Sequence, residues 1–199
     1  MNEQLQDYGL TPEQMLSSLP VFGERVTDLL LQLGLDISEC QADHIALRIN
    51  SQALAELAHK AWKTKGNEIS STQINGRPII IFKLTNSLSL AGWSVDCLEL
   101  PYPAEGKIYP QQGWEHVEFV VSSKAGTADE YLAELKERFP ELGKKWAFLS
   151  EMGIETKLSS PKGEGERLTN PTVAFKRDGM CVKLHLYSLE DIVHSEKTP

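Results

Sequence analysis

The sequence predicts an α+β protein in which a helical N-terminal segment precedes two modules with the same element order, β-α-β-β-β. Three observations carry this prediction. Strand-like and helix-like segments follow this order twice, turn signals separate neighbouring strands, and capping signals open the helices. The 199 residues, of which 41% are hydrophobic and 24% charged, are typical of a globular chain of one domain or two small fused ones.

Residues 1–40 are expected to form a helical extension. Thr11 can cap a helix, Pro12 suits its first position, and Gln14 can complete a capping box. Apolar residues at helical spacing follow in a second helical pattern, which ends at Gly34, a residue suited to the position after a last helical turn. We expect this extension to cover another part of the protein.

The first module is expected to span residues 41–105. It opens with a strand-like run, continues with an amphipathic helical pattern, and contains Asn75-Gly76, a strong signal for a tight turn between paired strands. The segments that fit the order are 42–49, 54–62, 68–74, 78–84 and 93–100.

The same order recurs over residues 114–190. Thr127 and Glu130 form a second capping box at the start of a helix, and Asp178-Gly179 marks another turn between strands. The matching segments are 115–122, 127–139, a partly extended stretch 148–160, and the strands 172–176 and 180–187, with a loop from 160 to 171. We expect the two modules to form one structural domain overall.

Histidines and one acid fall on the same face of the predicted strands. Side chains alternate between the two faces of a strand, so His44, His116 and His185 each lie opposite an apolar set of neighbours, and Glu99 matches them. A solvent-exposed sheet face would also be polar, but three of the five histidines fall here. Imidazole nitrogen and carboxylate oxygen are ligands that divalent metals accept, so the sequence predicts a metal site.

The repeated order and these strands resemble the vicinal oxygen chelate superfamily, which includes glyoxalase I, extradiol dioxygenases and bleomycin-resistance proteins. The motifs that carry the resemblance are Asp43-His44-Ile45-Ala46-Leu47, Leu98-Glu99-Leu100, Glu115-His116-Val117 and Lys183-Leu184-His185-Leu186. The last motif departs from the glyoxalase-like pattern Lys-Ile-Glu-Leu, because histidine replaces the final glutamate. Over its whole length, the chain looks most like the YecM family of bacterial proteins.

The resemblance implies a glyoxalase-like fold, in which the two modules form a cupped mixed sheet and supply metal ligands from their first and last strands. It implies that His44, Glu99, His116 and His185 converge on one divalent ion. The nitrogen-rich donor set favours zinc, with nickel, iron and manganese as alternatives. A closed set of four ligands would make the metal structural, whereas an open position would allow it to polarise a substrate oxygen or activate water.

Charged residues on the same faces are candidates for handling a substrate. Arg48 and Lys183 are expected to neutralise an anionic substrate, Tyr187 to contact it, and Glu118 to act as the catalytic proton shuttle. The alternative is that the charged side chains form a rim that only keeps the pocket hydrated.

The leading interpretation of function is a metal-dependent isomerase, lyase or oxygenase acting on a small oxygen-rich or carbonyl compound. Whether the protein catalyses a reaction stays open at this point. One alternative is a protein of the same fold that sequesters a small ligand. Another is an interaction protein in which the metal is structural and residues 1–40 form the contact surface.

Charge and cysteine content limit the partners and the location. A net charge of −8 disfavours nucleic acid and anionic membranes as partners. The three cysteines lack paired spacing, the N-terminus lacks the features of a signal peptide, and no apolar stretch approaches about 20 residues, which together predict a cytoplasmic protein. Two modules in one chain are compatible with a monomer.

Overall fold

A computed structural model describes residues 2–74, 76–160 and 168–197 of the chain. Its strands are β1 (Gln41–Arg48), β2 (Gly66–Ile74), β3 (Arg77–Leu90), β4 (Trp93–Pro101), β5 (Gly113–Val120), β6 (Glu155–Ser159), β7 (Thr172–Arg177) and β8 (Met180–His185). Its helices are α1 (Asn2–Asp7), α2 (Pro12–Leu33), α3 (Gln52–Trp62), α4 (Ala128–Arg138), α5 (Pro140–Lys145) and α6 (Leu189–Lys197), with a 3-10 turn at Trp146–Phe148.

The eight strands form one mixed sheet in the order β2-β3-β4-β1-β5-β8-β7-β6. Strands β1 and β5 pair antiparallel at the centre, and each has the last strand of its own module, β4 or β8, parallel on its other side. The two modules therefore repeat one arrangement on either side of the β1–β5 pair. This confirms the predicted fold class, an α+β protein of two βαβββ modules with N-terminal helices.

The helical lead contains one long helix where the sequence suggested two successive patterns. Thr11 and Gln14 form the predicted capping box, and Gly34 ends α2 in the left-handed conformation with φ of 72°. Helix α2 contacts β3, β5 and β8, and the Trp114 indole on β5 donates a hydrogen bond of 2.9 Å to the Met15 carbonyl. The extension therefore packs against strands from both modules, as a covering element would.

Both predicted turns join paired strands. Strands β2 and β3 pair up to Ile74 and Arg77, with Gly76 in the left-handed region; Asn75 lies outside the described residues. Between β7 and β8, Asp178 and Gly179 have φ values of 49° and 78°, the two positive angles that a two-residue hairpin turn needs.

The C-terminal end differs from the sequence prediction. Strand β8 stops at His185, two residues before the predicted end, and the chain turns into α6. A capping signal could have found this helix, because Asp191 lies three residues after Ser188 and their side chains bond at 2.7 Å. Of the predicted loop from 160 to 171, residues 161–167 lie outside the described residues.

None of the described helices combines the length and apolar character needed to cross a membrane.

Candidate metal centre

Four acidic and imidazole side chains meet on the face of the sheet opposite the apolar core. His44 on β1 pairs in register with Glu118 on β5, and Ala46 lies between Glu99 on β4 and His116 on β5. One ligand atom from each of His44, Glu99, His116 and Glu118 lies within 4.8 Å of the others. Three of these residues are buried and Glu99 is half-buried, so the register of three strands gathers the groups away from bulk water.

The strand register shows which residues occupy equivalent places in the two modules. In the first module, β1 and β4 pair at His44↔Cys97 and at Ala46↔Glu99. In the second module, β5 and β8 pair at the equivalent positions, His116↔Cys181 and Glu118↔Lys183. The counterpart of Glu99 in the second module is thus Lys183 and not His185, which lies two residues further along β8. The fourth carboxylate or imidazole comes instead from β5, where Glu118 takes the place that Ala46 has on β1.

His185 lies beside this cluster, outside the set of four. Its Nδ1 accepts a hydrogen bond of 3.1 Å from the Asn170 amide, whose own oxygen accepts from the Leu186 and Tyr187 backbone N–H groups. Its Nε2 lies 3.5 Å from Asp43 Oδ2. Burial lowers the pKa of His185, which keeps the ring neutral. Its Nδ1 also lies 3.4 Å from Glu118 Oε2, and its Nε2 has no hydrogen-bond partner among the described residues. The predicted role of His185 as a metal ligand stays a prediction.

His44 has the surroundings of a metal-binding histidine. Its Nδ1 lies 2.9 Å from the buried Asp43 carboxylate, which fixes the ring orientation in the way that outer carboxylates orient metal-binding imidazoles. Its Nε2 is buried without a hydrogen-bond partner among the described residues, and lies 3.3 Å from Glu118 Oε1 and 3.6 Å from Glu99 Oε2. An orphaned nitrogen that faces two carboxylates fits a divalent cation.

Lys183 holds a positive charge against the same donors. Its Nζ donates to Glu118 Oε1 at 2.6 Å and lies 3.0 Å from His116 Nε2. His116 Nε2 in turn lies 3.2 Å from Glu118 Oε1 and 3.7 Å from Glu99 Oε1. The ammonium group of Lys183 therefore competes with any cation for Glu118 and His116.

The protein groups alone form a strongly coupled network of charges. Burial favours the neutral form of Glu118, but Lys183 and His44 outweigh it and hold the Glu118 pKa well below its usual value. Burial also disfavours protonation of His44, yet Glu118 and Asp43 raise the His44 pKa well above its usual value. Burial and Lys183 lower the pKa of His116, but Glu115 and Glu118 outweigh them and raise it. Burial raises the pKa of Glu99, but His44 and His116 outweigh it and lower the value. Protons and the Lys183 ammonium thus balance the carboxylates.

Two predicted substrate-binding residues lie away from the cluster. Arg48 forms an ion pair with Glu115, donates to the Gly179 carbonyl at 3.3 Å, and stacks over the Tyr109 ring at 4.3 Å. Burial raises the pKa of Glu115, but His116 and Arg48 lower it to about 2. Tyr187 is 38% exposed and does not line the cavity at the cluster. Roles for Arg48 and Tyr187 at a substrate stay predictions.

The two cysteines next to the cluster remain thiols. Cys97 and Cys181 pair in register with His44 and His116, but burial raises the pKa of each thiol to about 11. Neither residue belongs to the group of four candidate donors.

A cavity of about 200 Å³ opens directly on the cluster. His44, Glu99, Glu118 and Lys183 line one part of it, while Ile79, Leu189 and Ile192 provide apolar walls and Arg77, Asn170, Thr172 and His185 further polar groups. Sequence reasoning missed Arg77, because it lies at the start of β3 beside the predicted turn, where a charged residue is ordinary. It also missed Asp43, although its position next to His44 could have indicated an orienting carboxylate.

The fold and the cluster together define the architecture of the protein. Two βαβββ modules joined in one mixed sheet, with a His/Glu cluster on the first strand of each module and the last strand of the first, give the chain the predicted glyoxalase-like fold.

The family of the chain follows from direct comparison with known proteins. The family model described as YecM protein matches residues 11–196, and the chain belongs to this family. It is 40% identical to Protein YecM of Escherichia coli strain K12 over 187 residues, 94% of each chain. It is 30% identical to an uncharacterized protein of Haemophilus influenzae over 186 residues, 91% of this chain and 93% of the relative. A solved structural-genomics structure, Protein EC4020, is 36% identical with a TM-score of 0.77, covering 98% of this chain and 94% of its own.

Proposed function

We propose that this protein binds one divalent metal ion through His44, Glu99, His116 and Glu118. The observation that carries the proposal is the meeting of these four donors within 4.8 Å, with His44 Nε2 left without a hydrogen bond. Two imidazoles and two carboxylates form a more oxygen-rich set than three histidines and one glutamate. This change moves the expected preference from zinc towards manganese and iron, with zinc and nickel still accommodated.

We further propose that the protein uses the bound ion to act on a small oxygen-rich or carbonyl compound, as a metal-dependent isomerase, lyase or oxygenase. The cavity of about 200 Å³ beside the donors supports an open site over a purely structural one, since a structural ion needs no adjoining space. When bound, the ion would supply Lewis-acid polarisation of a ligand oxygen.

The residues of the chain would supply the rest of the chemistry. Asp43 orients the His44 ring, Lys183 offers an ammonium donor to a negatively charged oxygen, and Leu189 and Ile192 exclude water from the cavity. If Glu118 binds the ion, it cannot act as a free proton shuttle at the same time. The sequestering protein is therefore the second candidate function, because it needs no proton-transfer group.

The direct test is metal content and metal affinity in four proteins: wild type, His44→Gln, His116→Gln, and the control His59→Gln. His59 lies on α3, where its ring bonds Tyr102 and Glu68. The His59→Gln substitution therefore changes a histidine that lies outside the cluster. We expect about one ion per wild-type chain and binding weakened by at least about 100-fold in the two cluster variants, since each removes one of four ligands. Circular dichroism of each variant monitors the fold.

Two outcomes would contradict the metal site: a wild type that binds no divalent ion, or cluster variants that bind as tightly as His59→Gln. Turnover then separates the two candidate functions. A sequestering protein would hold its ligand stoichiometrically without converting it.

A further inference from the structure

We propose that the ligand of this cavity is a short aliphatic carboxylate, whose carboxylate is bound by Arg77 while a hydroxyl or carbonyl oxygen at its other end faces the His/Glu cluster. This inference rests on the proposed metal site and adds the substrate class to it. It assigns Arg77 as the residue that recognises the negative end of the ligand.

Arg77 is the cation in this cavity that lacks an acidic partner among the described residues. It is half-buried at the start of β3, and its Nη1 donates to the Tyr102 carbonyl at 3.1 Å, which holds the side chain in place. Arg48, by contrast, is paired with Glu115, and Lys183 with Glu118. A guanidinium held by a single neutral carbonyl keeps donors for a planar anion such as a carboxylate.

The charges near the cluster predict the charge of the ligand. Asp43, Glu99 and Glu118 carry three negative charges, and a divalent ion with the Lys183 ammonium would supply three positive ones. Histidines that bind a metal are neutral. The site would then be neutral at its metal end, and Arg77 would add one positive charge. A ligand with one negative charge balances this arrangement.

The shape of the cavity limits the size of the ligand. Its volume of about 200 Å³ lies below the roughly 300–1,000 Å³ of pockets that hold drug-sized molecules. Ile79, Leu189 and Ile192 give the cavity an apolar wall. A few methylene groups between the carboxylate and the oxygen function suit such a wall, whereas a sugar phosphate or a dicarboxylate would leave polar groups or a second charge unpaired there.

The test compares 4-hydroxybutanoate with its neutral amide, 4-hydroxybutanamide, by ligand-observed NMR. The titrations use the full-length protein loaded with Zn²⁺ and again in EDTA. We expect wild type to bind the acid at least about tenfold more tightly than the amide. Arg77→Met should weaken acid binding at least about tenfold, while amide binding and metal affinity change less than twofold. Arg77→Lys should restore part of the acid preference, because it keeps the charge but not the planar donor pair.

The matched control is Arg138→Met, which removes the same charge from an exposed position on α4 and should leave both affinities unchanged. Equal binding of acid and amide by wild type, or an acid preference that survives in Arg77→Met, would overturn the inference. Failure of the proposed metal site would be seen in the metal content of the protein. The preference for the acid over the amide is also measured in EDTA, so the role of Arg77 is tested even if no ion binds.

Discussion

At the scale of single residues, the position of Lys183 is the most informative feature of the site. The register places it where the first module has Glu99, so an ammonium group lies where the symmetric counterpart of the Glu99 carboxylate would lie. Its Nζ lies 2.6 Å from Glu118 Oε1, and Glu118 is itself a candidate ligand. Like charges repel strongly when partly buried, so Lys183 is expected to limit metal affinity while providing a cationic group for the ligand.

Replacing Lys183 by Met should therefore strengthen metal binding. The change removes the competing charge and frees Glu118, and we expect at least about a tenfold increase in affinity, or about 1.4 kcal/mol, by competition titration with a chromophoric chelator. Lys176→Met is the control, since Lys176 is exposed and pairs only with exposed Glu155 among the described residues. Unchanged or weaker binding by Lys183→Met would show that Lys183 does not compete with the ion.

At the scale of secondary-structure elements, Asp43 links the metal centre to the C-terminal helix. Its carboxylate lies 2.9 Å from His44 Nδ1 and accepts from the Leu189 backbone N–H at 2.9 and 3.1 Å, at the N-terminus of α6. A carboxylate at this end of a helix is favourable because it satisfies a free N–H group and complements the helix dipole. Leu189 and Ile192 of the same helix line the cavity. The buried Asp43 side chain thus contacts both the candidate ligand His44 and the helix that lines the cavity.

The Asp43→Asn variant should weaken metal binding and loosen α6 together. We expect about a 10–100-fold loss of metal affinity, the usual effect of removing a carboxylate behind a metal-binding histidine. Hydrogen exchange of the α6 amides should become faster in the same variant. Asp36→Asn is the matched control, because the Asp36 side chain bonds only Ser38 on the surface among the described residues. Normal metal affinity with unchanged exchange would contradict the proposed link.

At the scale of the whole molecule, the candidate metal site is formed by residues of both modules. His44 and Glu99 belong to the first, and His116 and Glu118 to the second, which meets it at the β1–β5 pair. Helix α2 contacts strands of both modules on the other face. An ion bound at this junction would stabilise the folded chain, because the ligands are brought together only when β1 has paired with β4 and β5.

Thermal unfolding should accordingly depend on the metal. At a free ion concentration of about 100 times Kd, the expected gain in the free energy of unfolding is about 2.7 kcal/mol, which corresponds to roughly 5–10 °C in Tm for a chain of this size. Differential scanning calorimetry with and without EDTA measures the shift. His44→Gln should show little shift at the same ion concentration, and an equal shift in both proteins would place the stabilising ion elsewhere.

The sequence by itself determined the order of elements and the face on which the chemistry lies. Capping boxes at Thr11 and Thr127, the turns at Gly76 and Gly179, and the alternation of side chains along the strands are local properties. Residues that are neighbours along the chain set these local properties. The properties were therefore enough to predict two βαβββ modules and to place His44, Glu99 and His116 on one surface.

Only the tertiary structure decided which residues on that surface meet. Lys183 and His185 share one face of β8 and are equivalent by alternation, but lie about 6.6 Å apart along the strand. The pairing of β8 with β5 places Lys183 opposite Glu118 in register, whereas His185 pairs with Val120 and approaches Glu118 only through its side chain, with Nδ1 3.4 Å from Glu118 Oε2. The approach of Arg77 and α6 to the cavity also depends on contacts between distant segments. Alternation repeats every two residues and is set locally, whereas register between strands is set by packing across the whole sheet.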